Sequence, residues 1–521
     1  MRRYALFIGL FVLIAAARLV ILLTSQTHVH SDEAIIGLMG KHILEGRYFP
    51  FYMYGQPYNA GAAWEAYLAA NAFAFFGVSV ISLTSCIFLL SLLCLFLFYR
   101  MCLALYDQRT ALLATIAFAL APTLLKWHFQ VRGYSWYLLS IPILTMLFAS
   151  LESARARQKR LVFFFGLASG MSIWCLELAA PLVGAFSMLL ILRRRLSLSN
   201  AAAGLIGFAV GYAPVVAFNC MHHFSNWRYL AVQRPGGGFL SLFQLSTFRR
   251  IFLDEMPKFF GPDTVLWYYP DKPASGYVFY VVAVLGMLVA TWPFLRSPSK
   301  IVQALRGDLA NWRQGKDFDM LVVTAASFVP YLTVPVGVPS YFFGGCFFLS
   351  VLTGRMLDRC FSSSMTVPRL TGAAMLAAIL VTGALVMIGV GQKNQIETLS
   401  LCDDGRNYCM TRIPGADIEG VEQYLRQHNA TSVWTTISFV YPLLFESDET
   451  LVVSNAIFEY PHRVYPQEIP WREPSLDSHT AFVLETNSPF RSALETRCAQ
   501  AFGVAPQVRE YGKLTVITEH E

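Results

Sequence analysis

The segment His28-Val29-His30-Ser31-Asp32-Glu33 follows an apolar run that ends near Leu23. Adjacent carboxylates can take a proton from a hydroxyl, and two acids with two histidines can also hold a metal ion. They can equally do no more than start a helix. Ser31 or Asp32 as N-cap, with Glu33 in the first turn, complements the helix dipole and is worth about 1 kcal/mol. No CxxC and no spaced His/Cys set accompanies them, so a divalent metal has no clear ligand set and none is assigned. Histidines flanking a loop in this way are read as solvated. Two further stretches carry polar chemistry. The first holds Tyr52, Tyr54, Gln56, Tyr58, Asn59, Trp64 and Glu65; its rings suit the lipid headgroup level, and its interleaved amides also suit a sugar-binding surface. The second, "LKWHFQVRGYS" (125–135), holds Lys126, His128 and Arg132. These cations suit a phosphate, which a guanidinium grips as a fork, or they snorkel at a helix end.

The composition says what must position these residues. The chain has 521 residues, 55% hydrophobic and 14% charged, with a mean hydropathy of +0.48. Soluble domains carry about 25% charged residues. This is a polytopic membrane protein, and eleven apolar segments read as spans: about 4–23, 80–100, 111–126, 134–151, 161–177, 178–193, 200–219, 276–295, 319–336, 341–358 and 369–391. The first, preceded by Arg2 and Arg3, is read as an uncleaved helix with a cytoplasmic N-terminus rather than a signal peptide. Basic residues in the connections, among them Arg109, Arg155, Arg193, Lys300, Arg355 and Arg369, all fall on the side of Arg2 and Arg3, as the positive-inside rule requires. Loops 24–79 and 220–275, the 125–135 turn and the tail after residue 391 are then extracytoplasmic. The net charge of +7 is spread over short loops and makes no nucleic-acid face.

From Glu33 onward Ile35, Ile36, Leu38, Met39 and Ile43 recur at helical spacing. This predicts an amphipathic helix along the bilayer surface, ended by Gly46. Residues 392–521 change character. Strand-length runs at 432–436, 450–454, 481–485 and 513–518 alternate with helical patterns at 416–428 and 490–502, which predicts a small α/β domain. Cys402 and Cys409 flank a polar loop there, as a disulfide or as two thiols.

The stretches "SDEAIIGLMGKHILEG" (31–46), "FYMYGQPYNAGAAWEAYLAA" (51–70), "FAFFGVSVISL" (73–83), "LKWHFQVRGYSWYLLSIPIL" (125–144) and "VPSYFFGGCFFLSVLTGRML" (338–357) resemble the GT-C superfamily of integral-membrane glycosyltransferases. The likeness is to its bacterial family-39-like branch, related to protein mannosyltransferases and the lipid A aminoarabinose transferase. It covers residues 1–220 best, 320–391 loosely, and the tail by layout. Two features depart from the family pattern: Ser340 precedes Tyr341, and the 125–135 turn holds no carboxylate.

The resemblance implies a GT-C fold of about eleven transmembrane helices (1–391) with a periplasmic α/β domain (392–521), in a bacterial inner membrane. It implies transfer of a sugar from a polyprenyl-phosphate donor to a hydroxyl on a lipid, a lipid-linked glycan or a protein, by inversion. In that chemistry Asp32 is the base, with Glu33 second, and Lys126, His128 and Arg132 steady the phosphate. Tyr134, Gln56, Tyr58, Glu65 and Tyr341 complete the substrate-binding set. A lipid-linked glycan polymerase or ligase is the nearest alternative. A transporter fits less well, because its charges belong near mid-span and its halves repeat.

Overall fold

A computed structural model describes the chain except residues 1, 26–27, 123, 125–129, 154–157, 233–244, 261–273, 310, 334–341, 392–394, 402–407, 456–464, 467–468, 470–473, 475–478 and 520–521. Helices overlie all of the predicted apolar segments. In chain order the helices, with α2, α3 and α10 lying between those segments, include α1 (Arg2–Ser25), α2 (Ser31–Leu44), α3 (Ala60–Phe76), α4 (Val80–Leu105), α5 (Gln108–Ala119), α6 (Ser135–Ser153), α7 (Gln158–Cys175), α8 (Ala180–Leu192), α9 (Leu198–Met221), α10 (Ser225–Val232), α11 (Ala274–Arg296), α12 (Trp312–Thr333), α13 (Phe343–Ser362) and α14 (Thr366–Gly391). Six of the described helices are long and apolar enough to cross a membrane, and the chain is an integral membrane protein. α7 and α9 approach closely through Gly166, Gly170, Gly207 and Gly211, where a Cβ would meet the facing backbone; small residues bring helices together in lipid in this way.

Buried apolar side chains form two large cores. One fills the bundle and draws on α4, α5, α6, α8, α12 and α13. The other joins α2, α3 and the start of α4 to the C-terminal region. That region contains a β1–β2 hairpin (Gln395–Leu401, Tyr408–Pro414) and a five-stranded sheet of order β4-β3-β5-β7-β6. Its strands are β3 (Ser432–Thr435), β4 (Val452–Asn455), β5 (Thr480–Glu485), β6 (Gln507–Tyr511) and β7 (Leu514–Thr518). β3 runs parallel to β4 and β5, and β7 runs antiparallel to β5 and β6. Three helices accompany the strands: α15 (Gly415–Gln427), α16 (Ile437–Glu446) and α17 (Arg491–Phe502).

The predicted strands and two helices of this region are present. β6, α16 and the β1–β2 hairpin are additional. The proposed disulfide falls outside the described residues at Cys402.

α2 does not lie as an amphipathic helix on a bilayer surface. Glu33 through His42 are all buried, because α2 is held between α3 and α16. At Gly37 a Cβ would lie 2.6 Å from the Phe445 ring of α16. His42, fully buried, reaches Tyr54 OH with Nδ1 (3.1 Å) and Glu449 with Nε2 (3.1 Å). Lys41 Nζ adds Asp448 Oδ1 at 2.6 Å and Glu449 Oε2 at 3.1 Å. The helix ends as predicted, with Glu45 as C-cap and Gly46 in the left-handed region.

Candidate active site

The first turn of α2 divides its three polar residues between two tasks. The N-cap is His30, neither Ser31 nor Asp32. The His30 ring accepts from the Asp32 amide (3.2 Å), and Glu33 Oε2 accepts from the His30 amide (2.9 Å). This closes a capping box. Glu33 Oε1 then accepts from Val131 N at 3.0 Å, so its carboxylate ties α2 to the turn before α6. Burial pushes the Glu33 carboxyl up, against the opposing charge of Arg132. Asp32, next to it, is half-buried, and among the described residues its carboxylate makes no hydrogen bond and no ion pair.

α3 supplies the second support for the same turn. Glu65, 1% exposed, accepts from Gly133 N at 2.7 Å and from Ser135 N at 2.9 Å. Burial pushes its carboxyl up to about 7; the Ser135 and Gly133 contacts oppose this, and Glu33 adds to it. Asn59, the N-cap of α3, sits in the left-handed region (φ 60°) and donates from Nδ2 to the Arg132 carbonyl at 3.4 Å. Gly133 has φ +83°, and a Cβ on Gly61 would overlap the Gly133 carbonyl. Only glycine fits either place. Two acids and two glycines therefore fix the backbone that carries Arg132, whose side chain is 6% exposed.

The structure thus brings Asp32, Glu33, Glu65, Arg132 and Tyr134 to one place. Tyr134 is half-buried and meets the Phe343 ring edge-on at 5.4 Å. Tyr58 stacks on Tyr229 of α10 at 4.5 Å, and Gln56 is half-buried with its amide on Met53 O at 3.1 Å. Lys126, His128 and Tyr341 lie outside the described residues. The histidines are not solvated loop residues: His30 caps α2, and His28 has a side chain only 7% exposed beside Glu446. A narrow cleft beside the turn is lined by Ile87, Leu90, Ser91, Gln130, Tyr134 and Leu138, among others. Its walls are the apolar face of α4 and the start of α6.

Residue types alone gave no sign of the roles of Asn59 and Gly61. The signal for Glu65 was present, as an acid in an otherwise apolar, alanine-rich helix. Such an acid needs buried partners, and here they are backbone amides rather than a sugar.

No protein-family model and no curated protein matches the chain. Among solved structures, ArnT from Cupriavidus metallidurans bound to undecaprenyl phosphate is similar over 98% of this chain and 98% of its own, with a TM-score of 0.60 and 14% identity. The chain has a GT-C fold. The oligosaccharyltransferase of Archaeoglobus fulgidus shares this GT-C architecture over 88% of the chain and 65% of its own length (TM-score 0.52, 11% identity). Its counterpart AglB, solved with an inhibitory peptide and a dolichol-phosphate, matches over 87% of the chain at a TM-score of 0.52.

Proposed function

We propose that the chain transfers a sugar from a polyprenyl-phosphate donor to an acceptor hydroxyl, with Asp32 as general base. One observation carries the reading: of the acids at the α2–α3 junction, only Asp32 keeps its carboxylate unengaged among the described residues, while Glu33 and Glu65 are committed to amides of the turn that bears Arg132. In this reaction the acceptor oxygen attacks the anomeric carbon and its proton passes to Asp32. The bond from that carbon to the phosphate oxygen breaks, and the electron pair leaves with the polyprenyl phosphate. The leaving group needs no acid, only positive charge. Arg132 supplies it, with Lys126 and His128 of the same turn. Attack from the face opposite the phosphate inverts the anomeric centre. Glu33 positions the turn, while Gln56, Tyr58, Tyr134 and Tyr341 complete the substrate surface.

One further observation supports this. The fold is that of ArnT, which has been solved with undecaprenyl phosphate. By the positive-inside rule, the basic residues at the opposite bundle end, Arg193 and Arg355 among them, argue for an extracytoplasmic junction. The decisive experiment incubates the protein, reconstituted in lipid, with a panel of polyprenyl-phosphate sugars and candidate acceptors, and scores release of free polyprenyl phosphate. Release with at least one donor is expected. Silence across a broad panel would remove the reading.

A further inference from the structure

His28 lies four residues before Asp32, where the chain passes from α1 to α2, and it faces the C-terminal region. Its side chain is 7% exposed, with Nδ1 3.4 Å from Glu446 Oε2 and Nε2 3.6 Å from Glu419 Oε1. Nε2 is buried and has no hydrogen-bond partner. The same is true of Glu422 Oε1, while Glu422 Oε2 accepts from Arg426 at 3.1 Å and Glu446 Oε1 accepts from the Val29 amide at 3.4 Å. One ligand atom each from His28, Glu422 and Glu446 lies within 4.8 Å of the others.

We propose that His28, Glu422 and Glu446 form a binding site for a divalent transition ion, Zn²⁺ foremost. One imidazole with two carboxylates is a donor set for zinc, whereas Mg²⁺ and Ca²⁺ take oxygen ligands. Tetrahedral zinc ligands on bonds of about 2.1 Å sit roughly 3.4 Å apart, so these side chains close by about 1 Å on binding. Glu419, with 63% of its side chain exposed, is placed to swing in as the fourth ligand, or water fills that position. A solvent-open cavity of about 530 Å³, lined in part by Glu422, Arg426 and Glu446, gives the ion its path. The ligands come from α15, α16 and the α1–α2 connection, so the ion staples the C-terminal region to the segment that presents Asp32. The site stands whatever the donor proves to be.

The test uses the full chain in lipid nanodiscs, stripped with a chelator and titrated with Zn²⁺ alone. One equivalent should bind, with a rise in Tm of about 3 °C or more that chelator reverses. His28→Gln and Glu422→Gln should each weaken binding by at least about tenfold, and Asp448→Asn, outside the cluster, should not. Zinc-edge X-ray absorption on the unaltered protein should show nitrogen and oxygen ligands only, which keeps the test sound even if a variant fails to fold. No stoichiometric uptake, uptake indifferent to both variants, or sulfur in the ligand shell would each overturn the proposal.

Discussion

At one end of the bundle Asp317 meets Tyr106 OH (2.9 Å), Arg355 Nε (3.3 Å) and Arg359. Beside it Arg193 joins Glu152 (2.7 Å) and Asp319. At the other end Glu33 and Glu65 meet backbone amides, and Asp32 meets no partner among the described residues. α4 carries 26 residues between the two clusters, about 39 Å at 1.5 Å per residue. Charge answered by charge, as around Asp317, is complete in itself and holds helices together. Charge answered by amides, as at Glu33 and Glu65, holds a backbone turn. In the proposed reaction it leaves the chemistry to a neighbouring acid and to the cation on that turn.

The contrast breaks first at paired substitutions. Asp32→Asn should cut turnover by about 10²–10⁴-fold, the usual worth of a positioned base. Its unfolding free energy should change by no more than about 1 kcal/mol, since only a dipole contact is lost. Asp317→Asn should do the reverse, costing about 3 kcal/mol by leaving Arg355 with only Asp358 and Arg359 with only the Val289 carbonyl, while surviving folded protein keeps its rate per molecule. Product release and thermal unfolding, measured on both variants, read the two effects. An Asp32→Asn protein with full turnover would erase the difference between the ends.

Gly61→Ala sharpens it further. The added methyl has no room against the Gly133 carbonyl, so the turn must move and carry Arg132 with it. A displacement near 1 Å costs on the order of 10²-fold in rate. The Asp317 network, an α4-length away, should be untouched. The readout is kcat in the reconstituted assay, with unfolding temperature as the control. Equal turnover would mean the turn's position does not matter.

The apolar segments were legible because length and hydropathy suffice for membrane helices, and every predicted one has a helix on it. Asp32 and Arg132 were legible as charges at the edge of apolar runs. The division of labour among the acids was not, because backbone amides have no letter in a sequence. Glu33 looks like any helix-start acid until the Val131 amide is seen pointing at it, and Glu65 signals buried partners without saying which. α2 was misjudged for a related reason. Its apolar spacing predicted one buried face, whereas Gly37 and Gly40 are also places where α16 and α3 come close. The same holds for "GLASG" (166–170) and "GFAVG" (207–211), whose spaced glycines mark the α7–α9 contact.

Acidity separates the two kinds of charge more gently. Burial holds the folded Glu65 carboxyl at about 7, against the usual 4.5. A raised folded value means stability that is complete below pH 4.5 and lost as pH climbs through 7, on the order of 3 kcal/mol. Thermal unfolding followed from pH 4.5 to 8 should therefore show a falling limb, and Glu65→Gln should flatten it. A limb that survives the substitution would assign the titration to another group.

The smallest expected effect lies where α2 meets the C-terminal region, and there charge answers charge again. Burial alone would raise the Glu449 carboxyl, but His42 and Lys41 hold it well below the usual carboxylate range. Arg47 adds a contact at 3.1 Å, and Tyr465 OH donates to the same carboxylate at 3.1 Å. A depressed folded value gives stability that is present above about pH 4.5 and fades as pH falls toward the folded value. Glu449→Gln should therefore cost about 1–2 kcal/mol at pH 7 and flatten the acid limb of the unfolding curve. Turnover per folded molecule should fall little, since Glu33 and Glu65 still hold the turn. A loss of turnover as deep as that of Asp32→Asn would show that the clasp, rather than the two acids, sets the position of α2.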